Sequence, residues 1–212
     1  THQAPGDATS EQMRLVADLA DQYSFSEIRV SHEQNLILAD VQEDDLFGLW
    51  EQAKSKNLAT PNIGLLTDII CCPGGDFCSL ANAKSIPIAE SIQEVFDDMD
   101  YLHDIGEIDL NISGCMNACG HHHVGHIGIL GVDKDGSEWY QVTLGGNQGN
   151  FASIGKVIGP SFSAEEMPTV ITKIIETYTT ERHADESFID CAIRIGLDPF
   201  KVNVYGVKGD KS

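Results

Sequence analysis

Positive charge is scarce in this chain. Its 212 residues hold 13 Lys plus Arg against 33 Asp plus Glu, a formal net charge of −20. That balance argues against nucleic acid and against an anionic membrane surface as partners, and its first meaning is solubility. No segment approaches the roughly 20 consecutive apolar residues needed to span a bilayer. No charged stretch followed by an apolar one marks a secretory signal at the start. The phosphate-loop pattern G-x-x-x-x-G-K-[ST] is absent, and so are short-period repeats and low-complexity tracts. Thr1 stands where Met would open a reading frame, so the polar THQAPGDATS is expected to continue something upstream.

What is present is enough for a core: one large domain or two small ones, with an ordinary apolar content of 42%. Six cysteines without a secretory signal point to a reducing compartment, hence a cytoplasmic protein. There, grouped cysteines read first as metal ligands or redox groups and only second as disulfides.

Ser10 is a suitable N-cap for a helix carrying Met13, Val16, Leu19, Ala20 and Tyr23 at helical spacing. Ile28 and Val30, then Leu36 to Leu38, suggest two strands joined by SHEQN. Leu46, Phe47, Leu49, Trp50 and Ala53 mark a second amphipathic helix that closes before Pro61. Helix, strand, strand, helix is most of a ferredoxin-like unit, and its open sheet needs a partner on an edge or face. The fold expected is α+β, with a ferredoxin-like half-repeat over residues 1–60 and an α/β domain over 61–212.

In the second region an apolar stretch from Ile63 to Ile70 leads into Cys71-Cys72-Pro73-Gly74-Gly75, where the chain must turn. A helix should follow, with Pro87 in its first turn and Ile88, Ile92, Val95, Phe96 and Met99 buried. Ile108, Leu110 and Ile112 alternate as a strand delivering Gly114-Cys115. Strand-like Ile127 to Leu130, a hairpin signal at Asp133 to Gly136, and Tyr140 to Leu144 come next. The tail reads as helices: one stripe of Val170, Ile171, Ile174, Ile175 and Tyr178, then one of Phe188, Ile189, Ala192 and Ile195.

Cys72 and Cys78 have five residues between them, Cys115 and Cys119 three, and thirty-six residues part the pairs. Zinc sites usually show C-x2-4-C in both halves, and the flanks lack the compact hairpin of a zinc knuckle. An iron–sulfur cubane accepts wider spacing because its corners stand farther apart, so spacing favours iron–sulfur while leaving zinc open. Gly74, Gly75, Gly114 and Gly120 suit backbone passing close to a bulky cluster with N–H groups aimed at its sulfurs. Neighbours in extended chain point opposite ways, so either Cys71 or Cys72 should face elsewhere. Cys71 and Cys191 read as small buried apolar residues. His121, His122 and His123, with His126 nearby, do not converge on one ion from a helix or strand. They read as packing and hydrogen-bonding groups beside the cluster, at most one facing an anion as a proton donor. Gly145 to Gly149 reads as a loop allowing close backbone approach.

CCPGGDFCSLANAKSIPIAESI followed by NISGCMNACGHHHVGHIGILG resembles the cluster-binding half of the sirohaem-containing nitrite and sulfite reductases. Within that family the chain is most similar to the C-terminal half of the bacterial assimilatory sulfite reductases. RVSHEQNLILADV resembles the strand pair of the family's second ferredoxin-like repeat, and RIGLDPFKVNVY its C-terminal end. The resemblance implies that Cys72, Cys78, Cys115 and Cys119 hold one [4Fe–4S] cluster, and it selects Cys72 over Cys71. It implies that Cys119 also bridges to the sirohaem iron as axial ligand, and that Gln34, Asn35 and Asn117 approach the macrocycle.

The activity implied is six-electron reduction of sulfite to sulfide, with nitrite to ammonia as the rival within the family. The electron donor implied is a flavoprotein using NADPH or a ferredoxin. Sirohaem is a polycarboxylate and the substrate an anion, so their pocket must be strongly cationic. Only Lys84 lies within a few residues of either cysteine pair. These residues are therefore expected to be the cluster-bearing part of a longer reductase, inactive alone, with no catalytic group of its own and a missing N-terminal half supplying the cations. From another class, a plain electron-transfer module or a zinc-binding domain is the alternative.

Overall fold

The computed structural model describes residues 6–206. The chain opens with α1 (Ser10–Tyr23), capped by Thr9 rather than Ser10. The reason is reciprocal: Thr9 Oγ1 accepts from the Gln12 N–H (3.2 Å) while Gln12 Oε1 accepts from the Thr9 N–H (2.9 Å). A capping box needs Glu or Gln three residues on, and Ser10 would find Met13 there. The helix buries Val16, Leu19 and Ala20 but leaves Met13 half-exposed. β1 (Arg29–Val30) and β2 (Leu36–Ile37) form an antiparallel hairpin, and α2 (Leu46–Lys54) follows a short 3-10 turn at Glu43–Asp45. No residue of α2 is buried, and Phe47 and Trp50 stay exposed together with Val30 and Ile37. The apolar stripe of this helix is thus real but left uncovered by the described residues, and both strands of the hairpin are exposed as well.

The second region centres on a mixed five-stranded sheet. After β3 (Ile70–Cys71) come the single turn α3 (Gly74–Phe77), α4 (Ile86–Val95) and α5 (Met99–Ile105). β4 (Leu110–Ser113), β5 (Ile127–Lys134), β6 (Ser137–Leu144) and β7 (Lys156–Val157) complete the sheet in the order β3-β4-β5-β6-β7. β3, β4 and β5 run parallel, while β5, β6 and β7 are antiparallel. Every residue of β4 is buried, because a central parallel strand is covered on both faces. The hairpin turn after β5 has Asp135 and Gly136 at positive φ, the geometry its sequence announces.

One helix does not run from residue 86 to Met99. α4 stops at Val95, and Asp98 caps a new helix by accepting from the Asp100 and Tyr101 N–H groups. Val95 consequently faces solvent while Ile88, Ile92 and Phe96 are buried. The tail folds as α6 (Met167–Glu181), α7 (Phe188–Ile195) and α8 (Asp198–Tyr205). Val170, Ile171, Ile174, Ile175 and Tyr178 enter one continuous core with α4, the sheet, Phe188 and Phe200. The Tyr178 hydroxyl ties this layer down by donating to the Ile105 and Glu186 carbonyls. Among the described residues no helix is long and apolar enough to cross a membrane.

Candidate functional site

The cysteines sit where the parallel strands end. β3 pairs with β4 in the register Cys71 opposite Ile112, and the Cys72 N–H donates to the Ile112 carbonyl at 3.1 Å. The loops leaving the two strands therefore start side by side, at the carboxyl end of a parallel sheet where open α/β sheets place their ligands. Backbone bonds stitch them together. The Asn82 and Ala83 N–H groups both donate to the Gly114 carbonyl (2.8 and 3.0 Å), and the Gly75 N–H donates to the Ala83 carbonyl (2.9 Å). The approach is too close for side chains: a Cβ on Gly114 would lie 2.7 Å from Ala83 O and 2.9 Å from Gly74 Cα.

Within this contact the Gly114 N–H donates to Cys72 Sγ at 3.0 Å, and the Ser85 hydroxyl lies 3.5 Å from the same sulfur. Ser85 escapes sequence reading because nothing in its neighbourhood marks it. Cys72 and Cys115 are buried, Cys78 is half-buried and Cys119 is exposed, with Asn117 exposed beside it. Cys119 lies between Ala118 and His121, both at positive φ, in a tight loop pinned by the Gly120 N–H on Ser113 Oγ (3.1 Å). All six cysteines are free thiols, and among the described residues no three His, Cys, Asp or Glu side chains close on a single metal ion.

Cys71 turns the other way. It is 2% exposed, and its thiol donates to the Cys72 carbonyl. Burial, with the neighbouring Cys72 sulfur, pushes its pKa far above the usual thiol range, so it is a poor thiolate. Gln34 acts on its backbone: Nε2 donates to Cys71 O (2.8 Å) and Oε1 accepts from Cys71 N–H (2.9 Å). The side chain of Gln34 thus caps the outer edge of β3 as a further strand would. Asn35 Nδ2 donates to Asp68 Oδ1 at 3.2 Å. Both amides expected at a macrocycle also join the ferredoxin-like hairpin to the segment that leads through Asp68 into β3. Gln34→Ala should cost about 1–2 kcal/mol in urea unfolding, since it removes two hydrogen bonds at once. An unchanged midpoint would show that the hairpin is held by something else.

The histidines divide. His121 and His123 are exposed, whereas His122 is buried against the His123 ring and its Nδ1 has no partner among the described residues. The packing expected of this run is seen at His122, which packs on the His123 ring. Burial, reinforced by His123, lowers the His122 pKa to about 4. Its ordinary value is about 6.5, so the unfolded chain takes up the proton first as pH falls. Stability should be fully present above about pH 6.5 and decline towards pH 4. In His122→Gln the loss between about pH 7 and about pH 5 should be smaller in urea titrations, and an equal loss would exclude His122 as its source. Gly145–Gly149 behaves as a close-approach loop: a Cβ on Gly146 would lie 2.3 Å from Gly125 O.

A groove of ≈ 920 Å³ lies away from the thiols, between α1 with the β1–β2 hairpin and the Thr67–Ile69 segment. Asp7, Glu33, Asp68 and Asp97 line it, with no Lys, Arg, His or Cys among the described residues, a lining that suits neither an anion nor a soft metal.

Residues 65–209 match the family described as "Nitrite and sulphite reductase 4Fe-4S domain". The chain belongs to that family. Residues 2–56 match the nitrite/sulfite reductase ferredoxin-like half domain, and the α+β fold expected from the sequence is the one observed. The chain is 31% identical over 193 residues to the assimilatory ferredoxin-dependent nitrite reductase of Haloferax mediterranei, covering 87% of this chain and 32% of that protein. It is 24% identical to the assimilatory-type sulfite reductase of Nitratidesulfovibrio vulgaris, covering 80% of this chain and 74% of that protein. The Mycobacterium tuberculosis NirA protein shares the fold, with TM-score 0.80 and 24% identity over 94% of this chain and 38% of that one. The chain thus spans about a third of the first of these reductases and most of the second. Relatives named for nitrite and for sulfite both occur, so the leaning towards sulfite is not singled out.

Proposed function

We propose that the chain is the cluster-bearing part of a sirohaem-dependent reductase of sulfite or nitrite, with Cys72, Cys78, Cys115 and Cys119 as ligands of one [4Fe–4S] cluster. The observation that carries this reading is the meeting of the two cysteine loops, with the Gly114 N–H already donated to Cys72 Sγ at 3.0 Å. The residues fit the group: four free thiols, glycines where a Cβ would not fit, and an N–H aimed at a sulfur. When bound, the cluster and sirohaem would supply the electron path and the iron for six-electron reduction of the oxyanion.

The protein's own contribution is ligation and placement. Cys72 and Cys115 are buried and hold the inner side, while Cys119 is exposed and free to be shared with a second iron. Asn117 lies exposed on the same loop and can face the macrocycle. Gln34 and Asn35 also serve as positioning residues, fixing Cys71 at the end of β3 and Asp68 just before it. Residues 1–60 and 61–212 divide the work between that support and the thiols. Lys84, the cation nearest the pairs in sequence, is engaged by Asp76 at 3.1 Å. On this reading cations for sirohaem and substrate come from outside this chain, as an N-terminal half would provide. Relatives named as ferredoxin-dependent support a ferredoxin as electron donor over an NADPH flavoprotein.

The test is anaerobic reconstitution of the chain with iron, sulfide and sirohaem. The expected product contains iron and acid-labile sulfide, lacks stable sirohaem, and turns over neither sulfite nor nitrite until joined to a cationic half. Zinc without sulfide would support the zinc-binding alternative. The 74% coverage of the Nitratidesulfovibrio vulgaris protein favours a second reading, a small reductase complete in one such unit. Tight sirohaem binding and turnover by these 212 residues alone would establish it, and side-by-side assays would name the oxyanion.

A further inference from the structure

We infer that Ser85 sets the electron affinity of the iron–sulfur centre by donating its hydroxyl hydrogen to the Cys72 sulfur; this rests on the reading of Cys72 as a cluster ligand. Ser85 is fully buried at the start of α4, and its Oγ lies 3.5 Å from Cys72 Sγ. Among the described residues that sulfur is the only hydrogen-bond partner of the hydroxyl. A ligating thiolate carries no hydrogen, so the hydroxyl must be the donor. The backbone leaves room for it there: a Cβ would lie 2.7 Å from Ser85 Oγ at Gly74 and 3.0 Å at Gly114.

With the Gly114 N–H, Cys72 accepts two hydrogen bonds, while the sulfurs of Cys78, Cys115 and Cys119 accept none among the described residues. Reduction adds one electron from an external low-potential donor, a ferredoxin or, in the test, dithionite. No bond forms or breaks, and the added negative charge is shared with the thiolate sulfurs. A donor aimed at one of those sulfurs in a buried site stabilises the reduced form more than the oxidised one, raising the potential.

The experiment compares wild type, S85A and S85T, each reconstituted anaerobically with iron and sulfide. Iron and sulfide content is measured first, and each protein is then titrated with dithionite and followed by EPR. S85A should be harder to reduce by about tenfold at a given potential, which is about 59 mV for a one-electron couple. S85T keeps the hydroxyl and should return towards wild type. Equal midpoints for wild type and S85A overturn the inference. Should the variants take up no cluster, reduced wild type in D2O decides by deuterium ENDOR. Two strongly coupled exchangeable deuterons, the Gly114 amide and the Ser85 hydroxyl, are expected, and a single one overturns the assignment. Wild type that takes up no iron and sulfide would instead overturn the reading of the cysteines.

Discussion

Cys115→Ala, and equally Cys72→Ala, will leave the chain with iron and acid-labile sulfide near background after anaerobic reconstitution, while Cys71→Ala and Cys191→Ala retain full content. The first two remove a proposed ligand that the fold buries at the meeting of the two loops, where three remaining thiolates would leave an iron corner open to water. Alanine at either position fills less space but preserves the backbone, so the loss reports ligation rather than unfolding. Circular dichroism of the variants should be unchanged. Cys71 and Cys191 are 2% and 0% exposed and behave as small core residues, with thiol pKa values pushed up by burial. Their replacement should cost about 1 kcal/mol of stability and no cluster. Full iron and sulfide in Cys115→Ala, or loss in Cys71→Ala, would refute the ligand set.

Gly120→Ala should be the most damaging single-methyl addition near the site. A Cβ there would lie 1.9 Å from Ile112 O and 2.8 Å from Ile112 C. That carbonyl cannot retreat, because it accepts the Cys72 N–H and belongs to a strand paired on both sides. The cost should reach about 3 kcal/mol, the upper end of overpacking, and the displaced loop carries Cys119, so cluster content should fall as well. Gly48→Ala is the contrast. It lies in exposed α2, where the nearest atom is the mobile end of Tyr23 at 3.4 Å. There alanine should stabilise by up to about 1 kcal/mol through helix propensity. Urea midpoints of the two variants measure both effects, and a Gly120→Ala protein as stable as wild type would show that the loop is not packed as described.

Some elements were plain in the residues because they are local. The Asp135-Gly136 turn and the stripe of α6 depend on neighbours a few positions away. The same locality misled at two points. A periodic stripe through Met99 concealed the Asp98 cap, since a side chain capping its own backbone outweighs apolar spacing. Thr9 displaced Ser10 because Gln12 supplies the reciprocal bond.

By itself the sequence determined the chemistry on offer: four cysteines in two pairs, glycines around them, few cations and a family resemblance. Those are properties of residue type and spacing, which folding does not alter. Only the tertiary structure decided which groups meet. Cys71 lies in the core, as its apolar reading and the resemblance had it, but what surrounds Cys72 came only with the fold. Gln34 reaches Cys71 across 37 positions, Gly114 reaches Cys72 across 42, and Ser85 reaches the same sulfur across 13. Likewise the stripe on α2 announced burial, and the fold left it uncovered. The physical reason is common to all of these: a hydrogen bond or buried face depends on segments distant in sequence arriving together, and no local pattern records that arrival.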